Sequence, residues 1–488
     1  MPLLTKSNYL LGLQCPKLLW VSKNDKERIP KPDEIAHAKF KTGDIIGVLA
    51  TKVFSDGIDL SELDFKENIN KTKESLELRK PIFEAGFLEE DLFSRGDILL
   101  PVGVDEWDII EVKSATKLKD INIHDVSFQK YVYEKAGLKI RHCILMHINN
   151  QYVKSGEIEP NELFTQTDIT EQVEHFSEGI EKRIENMLKI INSKEEPKCS
   201  LGVHCSNPYD CPLKEECWKD VPEESIFEFY RMLSKKKFVL YDSGVVKLNE
   251  VPDSVKLNDK QKIQKLLAEK GGTHSDKKQI DFFLENLQYP IYYLDFETIN
   301  PAIPKFDGMK PYQRIPFQFS LHIQEKPNGK LKHISFLAEG ISDPRPKFMQ
   351  ALKDNLAKKG SILVYNQGFE KGVLKECSDA LPEFKEWYEK NILPRIKDLW
   401  DVFKDFSYYD PKQKGSTSIK YVLPVLSDLS YKMDIKNGAL ASLEYERVTY
   451  GNVSDKEREK IRKQLEKYCE LDTLAEVEIV KALTEIVK

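Results

Sequence analysis

Short stretches in which apolar side chains alternate with polar ones, or run together, mark strands along this chain; longer stretches with a helical period separate them. In the first part the strand-like runs are SRGDILLP, WDIIEVKSA and RHCILMHIN. Between the last two lies SFQKYVYEKAG, a helical stretch that ends at Gly137. Towards the C-terminus, IYYLDFE, PFQFSLHIQ, LKHISFLAE and SILVYN predict strands. PRPKFMQALKDNLAKKG and EREKIRKQLEKYCELDTLAEVEIVKALTEI predict helices there. The pattern predicts a mixed α/β protein in three regions: residues 1–220 closing on a cysteine-rich stretch, a mainly helical connector over 221–288, and a second α/β domain over 289–488.

Composition agrees with this division. A chain of 488 residues exceeds one ordinary core. With 40% hydrophobic and 32% charged residues it reads as globular rather than disordered. No apolar run reaches the roughly 18 residues of a membrane-spanning helix. The N-terminal stretch MPLLTKSNYLLGLQCPKLLW is interrupted by Lys6, Asn8, Gln14, Pro16 and Lys17, so it lacks the apolar core of a signal peptide. A cytoplasmic protein with no membrane partner is expected. The 74 basic and 80 acidic residues, net −6, neither advertise nor exclude a nucleic-acid binder, since a local basic groove coexists with a slightly negative total.

Candidate chemistry concentrates at two places. Asp295 and Glu297 stand two apart in a strand-like run, which puts both carboxylates on one face. SILVYNQGFEKGVLKE reads as a buried strand, a turn and a helix that begins near Asn366 and Glu370. Tyr468 and Asp472 share a face of the terminal helix. Such a carboxylate set suits divalent cations in oxygen ligands, and two-metal hydrolysis of a phosphodiester needs one. The order D-x-E, N-x-x-F-E, Y-x-x-x-D resembles the three motifs of the DEDD exonuclease superfamily, and the tyrosine points to its DEDDy branch. The resemblance implies an RNase H-like fold, with Asp295, Glu297, Glu370 and Asp472 holding Mg²⁺ or Mn²⁺ and Tyr468 orienting water. Glu370 stands where that superfamily has Asp. Asp398 is either a supporting carboxylate or a helix cap, and Lys420 in GSTSIKYVLP is either a phosphate contact or a solvated lysine.

In the N-terminal region, Asp97 sits in a Gly-Asp turn leading into ILLP, and Glu111 and Lys113 share one face of IIEVKS. Asp and Glu suit a metal, with the lysine placed to polarise a water. E-V-K by itself reads as an ordinary surface strand with a salt-bridging lysine, and Asp97 upstream with Q-x-x-x-Y downstream turns the reading. Gln129 and Tyr133 lie four apart on a helix. The series D…E-x-K…Q-x-x-x-Y resembles the PD-(D/E)xK nucleases of the RecB group, especially the CRISPR-associated RecB-like exonucleases and the AddB nuclease domain. That implies a restriction-endonuclease-like fold, metal at Asp97 and Glu111, assistance from Lys113, and Gln129 and Tyr133 on the substrate side. An acid or histidine on a preceding helix is also implied, and His37 is only a loose match.

Cys199, Cys205, Cys211 and Cys217 crowd one short stretch, and without a secretion signal they read as metal or iron–sulfur ligands rather than disulfides. The RecB-like resemblance implies a 4Fe-4S cluster on Cys15, Cys205, Cys211 and Cys217, although the last three are separated by five residues in each gap, where the relatives have a tighter pair. A structural Zn²⁺ site, with Cys199 or His204 replacing Cys15, is the alternative. Cys143, Cys377 and Cys469 read as small core residues. Together the halves resemble a prokaryotic family joining a RecB-like nuclease domain to a domain of unknown function. The expectation is a metal-dependent nuclease, a 3′–5′ exonuclease on DNA with a second RecB-like centre. The alternatives are an exoribonuclease whose N-terminal half grips substrate, and a degenerate nucleic-acid-binding protein; neither motif set reads the 2′-hydroxyl.

Overall fold

A computed structural model of the chain describes residues 2–431 and 433–488. The architecture is mixed α/β, and the chain divides into two compact units. The first holds the chain up to Asp220 together with Ala302–Tyr312; the second holds Val221–Pro301 and Gln313–Lys488. The stretch read as a connector over 221–288 thus belongs to the second unit, where it forms the helices Ser234–Asp242, Asp259–Lys270 and Lys277–Glu285.

The first unit is built on strands β1 (Leu4–Thr5), β2 (Ile58–Asp59), β3 (Ile82–Glu89), β4 (Leu92–Val102), β5 (Glu106–Lys113), β6 (Lys139–Ile148) and β7 (Phe164–Asp168). Among the described residues they form one sheet of order β2-β3-β4-β5-β6-β7, with β1 parallel to the start of β4. β5 and β6 run parallel, and the helix Asp120–Lys135 makes the crossover between them. Parallel neighbours require such a connection. That helix is almost entirely buried, with Val126, Phe128 and Val132 in the core beside Ile109, Cys143 and Leu145.

One expected turn is absent. Gly96 and Asp97 lie inside β4, with Gly96 paired to Ala85, rather than in a turn before ILLP. The glycine answers a need for space. A Cβ at Gly96 would stand 2.5 Å from Gln129 Oε1 and from the Tyr133 hydroxyl, so the helix approaches the strand over bare backbone.

The second unit contains β8 (His274–Ser275), β9 (Ile291–Ile299), β10 (Ile315–Gln324), β11 (Leu331–Leu337), β12 (Ser361–Val364), β13 (Ile396–Asp398) and β14 (Tyr408–Tyr409). Its main sheet runs β11-β10-β9-β12-β13; β9 is antiparallel to β10 and parallel to β12. Strand period decides what each face of β9 meets. Tyr292, Leu294 and Phe296 enter a core with Phe319, Leu321 and Phe348. Ile291 and Tyr293 face the other way, into a core with Ala475, Val480 and Leu483 of the terminal helix. Further along that second face stand Asp295 and Glu297.

The terminal helix spans Asp455–Val487, and Ser454 caps its N-terminus by accepting from the Glu457 amide at 3.3 Å. The helix predicted over PRPKFMQALKDNLAKKG runs only from Arg345 to Asn355, and Gly360 adopts φ +93° just before β12. A Cβ at Gly360 would lie 2.0 Å from the Pro290 carbonyl oxygen, at the entry to β9. Gly360→Ala is therefore expected to destabilise this unit by about 2–4 kcal/mol, from left-handed strain plus a forced shift of backbone. Loss of amide hydrogen-exchange protection in β9 and β12 measures it; unchanged protection would show that the approach is not constraining.

Candidate active centres

Both candidate centres sit where a strand presents carboxylates to a buried helix, but they neutralise that charge differently. In the first unit, β5 carries Glu111, which is buried, and Lys113, which is half-buried. Lys113 Nζ lies 2.5 Å from Glu111 Oε1 and 2.8 Å from Asp125 Oδ2. Lys6, from the helix Lys6–Gln14, donates to Glu111 Oε1 at 3.1 Å and lies 3.5 Å from Asp125 Oδ1. Gln129 Nε2 donates to Glu111 Oε2 at 2.7 Å and to Asp125 Oδ1 at 3.2 Å. Asp97 accepts from the Val112 amide at 2.6 Å, and the Tyr133 hydroxyl donates to the Ala85 carbonyl at 3.0 Å.

Burial alone would raise the Glu111 carboxyl, but Lys113 and Lys6 outweigh it and hold Glu111 below the usual carboxylate range. Asp97 goes the other way, pushed up to about 7 by burial and then by the negative charge of Glu111. Burial and Glu111 likewise raise Asp125. All five sequence-derived residues thus meet in one neighbourhood. Lys6 and Asp125 were missed. Asp125 carried a local signal, one helical turn before Gln129 and on its face; Lys6, 105 positions from Glu111, carried none. His37 is exposed on the helix Glu34–Thr51.

In the second unit, Asp295, Glu297 and Asp472 each bring an oxygen to within 4.8 Å of the other two. Asp472 accepts from the Tyr431 hydroxyl at 2.7 Å, and the neighbouring Tyr468 also favours its ionised form. Cys469 Sγ lies 3.8 Å from Asp295 Oδ2, so this thiol borders the carboxylates rather than filling a purely apolar core. Burial and the Asp472 charge push Asp295 well above its usual range; burial and Asp295 do the same to Glu297, and burial raises Asp472 to about 6.

Glu370, in the first turn of the helix Gln367–Ala380, stands outside the close trio but near enough for Asp295 to raise it further once burial has done so. Its Oε2 has no hydrogen-bond partner among the described residues, and neither has Oε2 of Glu476. Glu476 is a missed member. It lies one turn beyond Asp472, is buried, and is raised by burial and then by Asp295, Glu370 and Asp472. Tyr431, from a loop, is another. Asp398 accepts from the amides of Asn366 (2.9 Å), Gln367 (3.1 Å) and Trp400 (3.1 Å), so it fixes the start of the helix that carries Glu370. Lys420 lies over the rings of Tyr431 and Tyr468, 5.6 and 5.7 Å from their centroids, and its charge favours ionised Asp295, Glu297 and Asp472. The preceding residues 415–419 line a cleft with Tyr365, Trp400 and Arg231.

The cysteines also converge. Cys15, Cys199, Cys205, Cys211, Cys217 and His204 line one small cavity. Cys15 Sγ lies 3.5 Å from Cys199 Sγ, which lies 3.4 Å from His204 Nε2. All are free thiols. Burial and the neighbouring Cys15 push Cys199 up to about 12, as expected of thiols crowded together in a poorly solvated cavity.

Residues 292–418 match a family model described as a domain of unknown function, DUF2779. The DUF2779 segment carries Asp295, Glu297, Glu370 and Asp398, whereas Tyr431, Tyr468, Asp472 and Glu476 lie beyond it. The chain is 28% identical over 224 residues to the uncharacterized protein UU173 of Ureaplasma parvum, covering 41% of this chain and 32% of that protein. It is 28% identical over 217 residues to the uncharacterized protein MG366 of Mycoplasma genitalium, covering 40% and 32%. The match thus spans about a third of the length of these relatives. Among the described residues, no helix is long and apolar enough to cross a membrane.

The first centre yields a direct test. Lys6→Met leaves Glu111 and Asp125 with one lysine between them, at an expected cost of about 2 kcal/mol for a charged hydrogen bond lost in a buried setting. Adding Asp125→Asn should recover part of that loss. A double-mutant cycle by chemical denaturation measures the coupling, and strictly additive effects would mean that the cluster is not one unit.

Proposed function

We propose that the protein is a metal-dependent nuclease whose hydrolytic centre is formed by Asp295, Glu297 and Asp472, with Glu370 completing the set. The reading that fits the residues best is 3′–5′ exonuclease action on DNA by an RNase H-like domain of DEDDy type. One observation carries it: three carboxylates, two from a strand and one from the terminal helix packed on it, converge within 4.8 Å in surroundings that disfavour their ionisation. Divalent cations relieve that crowding, and the donor set is all oxygen, as Mg²⁺ or Mn²⁺ requires. The unsatisfied Oε2 atoms of Glu370 and Glu476 fit the same reading, because a buried carboxylate oxygen without a donor calls for a proton or a cation.

When bound, the metal supplies charge stabilisation at the phosphoryl group and lowers the pKa of a coordinated water. The chain's own residues orient the reactants. Tyr431 holds Asp472 through its hydroxyl, Tyr468 stands beside the same carboxylate and is suited to position a water, and Lys420 offers positive charge beside both rings. Asp398 holds the turn from which Glu370 projects.

The first unit is read as a PD-(D/E)xK, RecB-like domain on the strength of Asp97, Glu111, Lys113, Gln129 and Tyr133. Its carboxylates Asp97, Glu111 and Asp125 are countered by Lys6 and Lys113, so the cluster is largely neutralised without metal. That supports the alternative in which the protein is an exoribonuclease whose N-terminal half only grips substrate. The cysteine pocket fits a thiolate-bound cofactor, a 4Fe-4S cluster on Cys15, Cys205, Cys211 and Cys217, with Cys199 and His204 available to a Zn²⁺ site instead.

End-labelled DNA and RNA strands, incubated with Mg²⁺ or Mn²⁺, test the proposal. Asp295→Ala and Asp472→Ala should each cut the rate at least about a hundredfold, as loss of groups acting on the transition state does. Asp97→Ala should mainly weaken binding if the first unit grips. Binding without cleavage in wild type would replace the enzyme by a nucleic-acid-binding protein, and faster loss of RNA would make it an exoribonuclease. Anaerobically purified protein should contain iron and sulfide that Cys205→Ala removes; zinc in their place would select the alternative metal.

A further inference from the structure

The polar face of β10 holds a second kind of site. Gln318, Ser320, His322 and Gln324 alternate with Phe317, Phe319, Leu321 and Ile323, and such a strand ordinarily turns its polar side to water. Here that side is buried beneath the terminal helix. His322 stands directly opposite His333 of the edge strand β11, with their rings 4.5 Å apart, and Glu470 of the terminal helix approaches from above. Each of the three offers a ligand atom within 4.8 Å of the other two.

The hydrogen bonds around the imidazoles decide which nitrogens are free. Thr473 Oγ1 donates to the Glu470 carbonyl at 3.1 Å, so it accepts from His322 Nδ1 at 2.8 Å and from Ser320 Oγ at 2.7 Å. Ser320 has then spent its proton and accepts from His333 Nε2 at 2.9 Å. In this arrangement every hydrogen is used once. It leaves lone pairs on His322 Nε2 and on His333 Nδ1, and the latter lies 3.6 Å from Glu470 Oε1. Ligands on one tetrahedral zinc stand about 3.3 Å apart for bonds of about 2.0 Å, so this pair is close to ligating separation. A hydroxyl on the far nitrogen of each imidazole is the outer-shell support that metal-binding histidines ordinarily have.

We infer that His322, His333 and Glu470 form a binding site for a divalent transition-metal ion such as Zn²⁺, separate in chemistry from the all-oxygen carboxylate centre. Two imidazoles and one carboxylate select a late first-row ion over Mg²⁺ or Ca²⁺. His333 and Glu470 keep 27% and 47% of their side-chain surface exposed, so the ion has access and keeps a position for water. Occupancy would tie the edge of the sheet to the helix that carries Tyr468 and Asp472. The inference does not depend on the nuclease reading.

The probe is Zn²⁺ itself, with bound zinc counted after equilibrium dialysis of the full chain and affinity taken from a competition titration against a chromogenic chelator. Wild type should bind one equivalent more than His333→Ala, an edge-strand change that leaves the core intact. Glu470→Gln should weaken that equivalent at least tenfold, and Thr473→Val should weaken it about 10–100-fold through loss of the outer-shell hydroxyl. Asp295→Ala and Cys205→Ala should leave this equivalent in place, which separates it from the other two candidate metal sites. Equal zinc number and affinity in wild type, His333→Ala and Glu470→Gln would overturn the inference, whatever the nuclease assays give.

Discussion

Negative charge forced out of water organises the second unit. The terminal helix must lie on β9 because Ile291 and Tyr293 need its apolar residues, and the same strand then carries Asp295 and Glu297 under the same helix. Asp472, Glu476 and Glu370 arrive from the helices on either side of the problem. In a medium of low polarisability these groups cannot all ionise alone. The centre is therefore a demand for positive charge created by packing, and its tyrosines and Lys420 meet only part of it.

The first unit meets the same constraint from within. Lys6 and Lys113 bracket Glu111 and Asp125, and Gln129 donates to both carboxylates as well. Two lysines thus offset much of the negative charge of the first cluster, whereas among the described residues Lys420 is the nearby positive charge that favours ionised Asp295, Glu297 and Asp472 in the second. The contrast between the centres follows from two lysine side chains rather than from any difference in the acids.

Much of this was legible because the chemistry is periodic. D-x-E on a strand and Y-x-x-x-D on a helix declare a common face without any knowledge of the fold, and the same rule, carried one turn further, points to Asp125 and Glu476. Distance along the chain hid the rest. Lys6 sits far from its partners, and Tyr431 comes from a loop with no pattern of its own. The Gly-Asp pair misled because glycine has two uses; at residue 96 it makes room for a neighbour instead of bending the chain. The alternation in β10 gave the strand correctly, but not that its polar side is buried, since that depends on a helix more than 150 positions away. The local cysteines announced themselves by crowding, while Cys15 was reached only through the RecB-like resemblance, because its separation along the chain carries no pattern.

The excursion Ala302–Tyr312 has a consequence for heredity. These residues leave the chain of the second unit just after β9 and belong to the first, where Tyr312 donates to the Ser114 carbonyl and Lys154 pairs with Asp307 at 2.6 Å. Neither unit is therefore encoded by one uninterrupted stretch of gene. A recombination event that cut near residue 220 would deliver the N-terminal half without the residues 302–312 that complete its unit. Domain shuffling at that point would therefore cost the first unit part of its own chain, which ties the two coding stretches to one another.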